Sequence, residues 1–161
     1  MIEIREDDLT GEGTRVLLAY HLSQMRADSP PEHAFALDLS GLQAPGITVW
    51  TAWIDDAVVG VGAMRLFGSH DAEIKSMRTH PDHLRKGVAA AVLVHIVGQA
   101  KRRGLRRLCL ETGSGPTFEP ALALYRAHGF TDGEAFSDYV RSDFNQFLHL
   151  RLEATEPLAT E

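Results

Sequence analysis

The sequence predicts a mixed α/β sandwich, with strands interleaved between helices. Three observations carry that prediction. Ala89, Val92, Leu93, Ile96, Val97 and Ala100 fall at i, i+3, i+4, i+7, i+8 and i+11, one face of a helix of period 3.6. Two β-rich runs, residues 47–54 and 58–67, are joined by Asp55-Asp56-Ala57, a hairpin signal. The stretch AEIKSMRTHPDHLRKGVAAA (72–91) reads as a strand, a tight basic loop and a helix start. A Leu-rich strand at 106–111 comes after that helix, so a βαβ unit occupies the middle of the chain.

Residues 1–5 alternate apolar and charged, a first strand, and residues 7–10 are placed to cap the element after them. Residues 15–27 carry Val16, Leu17, Tyr20, Leu22 and Met25, a helix stopped by Ser29-Pro30-Pro31. A second, shorter helix is expected over 33–42, before Gln43-Ala44-Pro45-Gly46 breaks the chain. Gly68-Ser69-His70-Asp71 turns into the strand 72–79. The long helix ends at Lys101, Arg102 and Arg103 with Gly104 beyond, the charges and cap a C-terminus favours. A Gly/Pro/Ser loop (112–117) leads to a helix over 118–128 capped by Gly129, then strands near 133–136 and 145–152. One domain is expected over 1–153, with a frayed tail at 154–161.

Composition sets the outer limits. A chain of 161 residues can bury one proper core, and 44% hydrophobic with 24% charged residues is ordinary for a soluble globular protein. Sixteen basic against twenty-two acidic residues give −6, a poor match to nucleic acid and compatible with a cationic substrate. No run is long enough to span a membrane, and MIEIREDDLT lacks a signal-peptide core. A single cysteine, Cys109, rules out an intrachain disulfide and agrees with a reducing, cytoplasmic setting.

The candidate ligand site begins at the loop. Arg85, Lys86 and Gly87 set two cations and a residue without a Cβ where the first unpaired N–H groups of a helix point outward. Bare donors, the positive end of the dipole and the flanking charges make a site for an anion, a phosphate above all. The segment LRKGVA resembles the pyrophosphate loop (Arg/Gln-x-x-Gly-x-Gly/Ala) of the GCN5-related N-acetyltransferases. AEIKSMRTHP before it is similar to that family's fourth strand, and LETG with ALALYRAHGF to its fifth strand and following helix. The likeness covers residues 47–130. It implies a mixed, mostly antiparallel sheet of about seven strands, splayed between the fourth and fifth and flanked by helices. It also implies acetyl-CoA as co-substrate, bound by residues 85–90 (Arg85, Lys86, Gly87, Val88, Ala89, Ala90) and by the strand end Met77, Arg78 and Thr79. Leu84 stands where the family has Arg or Gln, and Phe118 where many relatives carry a cofactor-contacting Asn.

The resemblance further implies two catalytic residues. An ammonium has no lone pair, so acetylation needs a base, and Glu73 would serve, turned to a cleft or solvent if Ile74 packs inward. Tyr125 would donate a proton to the departing thiolate. Both have plainer readings, a solvated strand carboxylate and a core aromatic. His21, Met25, Ser29, Glu32 and His33 would shape the acceptor side, with Asp138 and Tyr139 closing it. The expected activity is acetyl transfer to a primary amine of a small molecule or peptide by direct attack in a ternary complex. The alternative is a non-catalytic acyl-CoA-binding or regulatory module. A homodimer is allowed; no metal, membrane or nucleic-acid partner is expected. Gly60-Val61-Gly62 is half a dinucleotide fingerprint with no helix after it, and Pro81 prevents a regular helical metal pair at His80 and His83. Cys109 reads as a small buried hydrophobe, and the arginines at 102, 103, 106 and 107 as a helix end and solubility.

Overall fold

The computed structural model describes residues 1–152, so the expected tail lies outside the described residues. Strand β1 (Ile2–Asp7) pairs antiparallel with β2 (Ile47–Ile54), β2 with β3 (Ala57–Phe67), and β3 with β4 (Asp71–Thr79). Strand β5 (Arg107–Thr112) runs parallel to β4, and β7 (Gln146–Arg151) antiparallel to β5, with β6 (Thr131–Asp132) at the edge. The sheet order is β1-β2-β3-β4-β5-β7-β6. Four helices flank it: α1 (Glu12–Asp28), α2 (Leu39–Leu42), α3 (Val88–Arg102) and α4 (Glu119–Ala127). Helix α3 is the crossover that the parallel pair requires. The seven-stranded mixed sheet with flanking helices matches the expected fold.

Alternation along the strands sorts the core. Trp50, Ala52, Ile74, Leu108 and Leu110 meet Val88, Val92, Leu93, Ile96 and Ala100 of α3 and Leu122 of α4 in the largest apolar cluster. On the opposite face Leu17 and Leu18 of α1 pack on Val49, Val61 and Ala63. Cys109, Phe136 and Phe147 form a separate cluster on the C-terminal strands. Arg65, Glu73, Lys75, Arg78 and Glu111 belong to none of these clusters, and by alternation they share the α1 face.

The feature that positions the site is the parting of β4 from β5. Their ladder holds only Asp71↔Arg107, Ala72↔Leu108 and Glu73↔Cys109. Just beyond, the β3–β4 register shifts between Val61 and Ala63, so that one residue of β3 opposes Ser76 and Met77. Ser76 takes φ +59, the left-handed conformation of an extra strand residue. The bulge bends β4 away, and backbone groups past Glu73 have no partner on β5.

Several elements differ from expectation. Helix α1 buries Thr14, Leu17, Leu18 and His21, while Val16 is 60% exposed. Its N-cap is Gly11 without a side-chain bond; Asp7 Oδ2 instead accepts from the Thr14 and Thr51 hydroxyls, tying β1, α1 and β2 together. The helix expected over 33–42 is a 3-10 turn, Pro31–His33, an extended stretch and the short α2. Phe35 packs edge-on against Tyr139 and Leu37 against the α1 cluster, and that packing overrides local helix propensity. The strand expected near 133–136 lies earlier and is shorter, as β6 at Thr131–Asp132, and Phe136 packs instead with Cys109 and Phe147.

Candidate active site

The loop between β4 and α3 is built for an anion. After the 3-10 turn Pro81–His83 the chain runs through Arg85 at φ +63 and Gly87 at φ +81. Gly87 is the N-cap of α3 and no side chain caps the helix, so the N–H groups of its first turn point outward unpaired. Left-handed residues at 85 and 87 shape a concave backbone nest, flanked by the exposed Arg85 and Lys86 side chains. A Cβ on Gly87 would meet nothing within 4 Å, so glycine is needed there for its φ, not for space. Val88 is 2% exposed and packs inward, leaving its backbone as the part a ligand can reach.

Where β4 leaves β5 a hollow of about 150 Å³ opens, lined by Glu73, Lys75 and Ser76 to Arg78 of β4, Leu110 to Thr112 of β5, His21 and Met25 of α1, and Tyr125 of α4. Glu73 lines it but is only 1% exposed. Its Oε1 accepts from Arg65 Nε at 3.0 Å and Nη2 at 2.8 Å. Its Oε2 accepts from Lys75 Nζ at 3.3 Å and from the Tyr139 hydroxyl. The carboxylate expected to face a cleft or solvent is enclosed, with every acceptor position engaged. The cause is register: Arg65 is the direct cross-strand partner of Glu73.

Sequence reasoning missed Glu111. It is half-buried in the hollow and makes no hydrogen bond or ion pair among the described residues. Burial pushes its carboxyl up to about 7; Lys75 opposes that shift and Glu73 adds to it. The signal was available, since alternation along β5 sets Cys109 and Glu111 opposite the core residues Leu108 and Leu110. Tyr125 is 6% exposed and edge-on to Phe130 at 5.7 Å. Burial raises its phenol well above the ordinary range, which Arg78 only partly offsets, so it stays protonated at neutral pH.

The other expected residues divide. His21 is 5% exposed, and its Nδ1 accepts from Arg78 Nε at 3.0 Å. Burial, with Arg78 and Lys75 close by, pushes it down to about 3, so it is neutral. Tyr139 belongs with Phe35, Lys75, Arg65 and Asp138 to an adjoining hollow of about 260 Å³. Met77 turns toward α3, its Sδ 2.6 Å from where a Cβ on Gly62 would stand, while Thr79 is half-buried at the end of β4. Ser29 and Glu32 line neither hollow: the former is buried as the C-cap of α1, and the latter is exposed in the 3-10 turn that Pro30-Pro31 forces. His33 sits against Phe35 and Phe144. Phe118, where the resemblance implied a cofactor-contacting Asn, is buried against Phe144 and lines one wall of the hollow. Burial pushes the Cys109 thiol up to about 12, which excludes a resting thiolate. Among the described residues no group of three or more His, Cys, Asp or Glu could hold a metal, and no helix is long and apolar enough to cross a membrane.

Comparison with known proteins gives a consistent picture. A family model described as the acetyltransferase (GNAT) family matches residues 15–130. The chain is 44% identical over 152 residues to the uncharacterized N-acetyltransferase YedL of Escherichia coli, covering 94% of this chain and 96% of that one. It is 46% identical over 151 residues to the uncharacterized N-acetyltransferase YsnE of Bacillus subtilis, covering 94% and 100%. In fold it is similar to the ribosomal-protein-S18-alanine N-acetyltransferase of Escherichia coli, with TM-score 0.71, 21% identity and coverage of 99% and 100%. It is likewise similar to a GNAT family acetyltransferase of Elizabethkingia anophelis with acetyl-CoA bound, with TM-score 0.70, 17% identity and coverage of 94% and 98%.

Proposed function

The chain belongs to the acetyltransferase (GNAT) family and is an N-acetyltransferase, and we propose that it carries the acetyl group of acetyl-CoA to a primary amine by direct attack in a ternary complex. One observation carries the mechanism: the hollow at the β4–β5 parting holds both an uncommitted carboxylate, Glu111, and a buried, protonated phenol, Tyr125. The pyrophosphate lies on the N–H groups at 87–90 with Arg85 and Lys86 alongside, and the pantetheine arm pairs with β4 near Met77 to Thr79. Each charge-assisted contact contributes about 1.5–3 kcal/mol.

In this reading Glu111 takes the proton of the incoming ammonium, because a base with a pKa near the working pH is both free and strong enough. The amine nitrogen then bonds to the thioester carbon while a freed β4 N–H polarises the carbonyl oxygen. As the C–S bond breaks, the sulfur keeps the electron pair and takes the Tyr125 proton, and the surplus proton on the nitrogen leaves to solvent, from which the Tyr125 phenolate is reprotonated as the amide forms. Glu73 acts as a positioning residue that holds Lys75, Arg65 and Tyr139, since a carboxylate with all its acceptor positions filled is a weak base. The test is a screen of amino acids, polyamines, aminoglycosides and peptides for amine-dependent release of CoA thiol. Release with at least one class is expected. Acetyl-CoA binding without turnover of any of them would replace transfer by the binding-module reading.

A further inference from the structure

On the α1 face of the split Arg65, Lys75 and Arg78 stand near the carboxyl groups of Glu73, Glu111 and Asp28, and of these three only Glu73 forms an ion pair among the described residues. Arg65 and Lys75 share a single partner, Glu73, and the Lys75 side chain is 10% exposed. Arg78 forms no ion pair among the described residues, with Asp28 acting on it only through space. It is half-buried, donates through Nε to the neutral His21, lies 5.7 Å over the Tyr20 ring, and meets no carboxylate within 4.0 Å among the described residues. The bond to His21 and the packing on Tyr20 hold the arm while its terminal N–H groups make no hydrogen bond among the described residues. Removing such charges from water is costly unless a counter-charge completes them, and an arginine fork fits a carboxylate with two parallel hydrogen bonds. Lys75, Arg78 and Glu111 all line the same hollow, so cationic and carboxylic groups face one small volume of about 150 Å³.

We propose that the acceptor is a small zwitterion, an α-amino acid, whose carboxylate is gripped by the Arg78 fork with Lys75 beside it while its amine faces Glu111. The inference rests on the acetyl-transfer reading. It follows from complementarity at both ends of the substrate. A polyamine or aminoglycoside would set further ammonium groups against Lys75 and Arg78, and a peptide N-terminus offers an amide where the fork expects charge.

The experiment compares each amino acid with its amide and its decarboxylated amine, measuring kcat/KM by thiol release, with acetyl-CoA affinity followed separately by calorimetry. Free amino acids should exceed both matched analogues by about 10- to 100-fold. Arg78→Met should raise the acceptor KM by a similar factor and erase the preference, and Arg78→Lys should restore part of it; the pantetheine arm meets residue 78 through its backbone in this reading, so acetyl-CoA affinity should change by less than the acceptor KM in both. Amides or decarboxylated amines turned over as well as the amino acids would overturn the proposal and leave acetyl transfer standing. A preference that survives Arg78→Met with acetyl-CoA binding intact would also overturn it. Absence of turnover with every acceptor, despite acetyl-CoA binding, would overturn both.

Discussion

Replacing Glu111 with Gln removes the carboxylate that burial holds near pH 7, with two effects of opposite sign. The rate should fall by about 10²–10⁴, and the rise of kcat/KM through about pH 7 should vanish from the pH profile. Stability should move the other way. The folded carboxyl keeps its proton up to about 7 while the unfolded one loses it near the ordinary value of 4.5, so the unfolded state binds fewer protons and stability falls as pH rises between them. Above pH 7 Glu111→Gln should therefore be more stable than the parent by on the order of 1 kcal/mol, after allowance for solvent screening, as thermal melts at pH 8 would measure. Glu73→Gln separates the two carboxylates. It leaves Arg65 and Lys75 without their shared anion, so melts should show a loss of about 3–5 kcal/mol, while the activity that remains keeps the limb near pH 7. Sequence separation hid the different surroundings of the two carboxyl groups. Both residues lie on strands with alternating patterns, but the pairing of Glu73 with Arg65, eight positions upstream, exists only in the β3–β4 register. The resemblance pointed to Glu73, while Glu111 was passed over although alternation along β5 sets it opposite the core residues Leu108 and Leu110.

Among the elements, α3 and the loop before it were legible because period, caps and charges agree. The strand at Ile47–Ile54 was equally so, with β-rich composition and a hairpin signal at its end. The stretch 33–42 was not, since its apolar residues serve two separate clusters instead of one helical stripe. In the proposed reading helix α3 also links a fold element to a ligand contact. A Cβ on Gly60 of β3 would stand 2.4 Å from Cγ1 of Val88, the residue that opens α3. Gly60→Ala should therefore lift the start of the helix from the sheet, costing about 1–3 kcal/mol of stability. The same shift misaims the phosphate donors, and calorimetry should find acetyl-CoA binding about tenfold weaker.

At the scale of the molecule, two half-sheets, β1 to β4 and β5 to β7, meet along three paired residues. Acetyl-CoA laid in the parting would bridge them, so binding should stabilise the whole chain. At about 100 times Kd the gain is about 2.7 kcal/mol, which for a chain of this size shifts the melting temperature by about 5–10 °C. Differential scanning calorimetry with and without acetyl-CoA measures this. The parting itself was legible only through family resemblance, because the bulge at Ser76 comes from strand register and leaves no mark in composition or period. It has a consequence for how motion in this protein can be observed. The chain's one thiol, Cys109, stands opposite Glu73 in the last paired row before the strands diverge, fully enclosed and with its pKa pushed up to about 12. A thiol reagent reaches it only when the Phe136–Phe147 cluster that covers it opens, so the rate of labelling times that local opening beside the parting with no probe introduced.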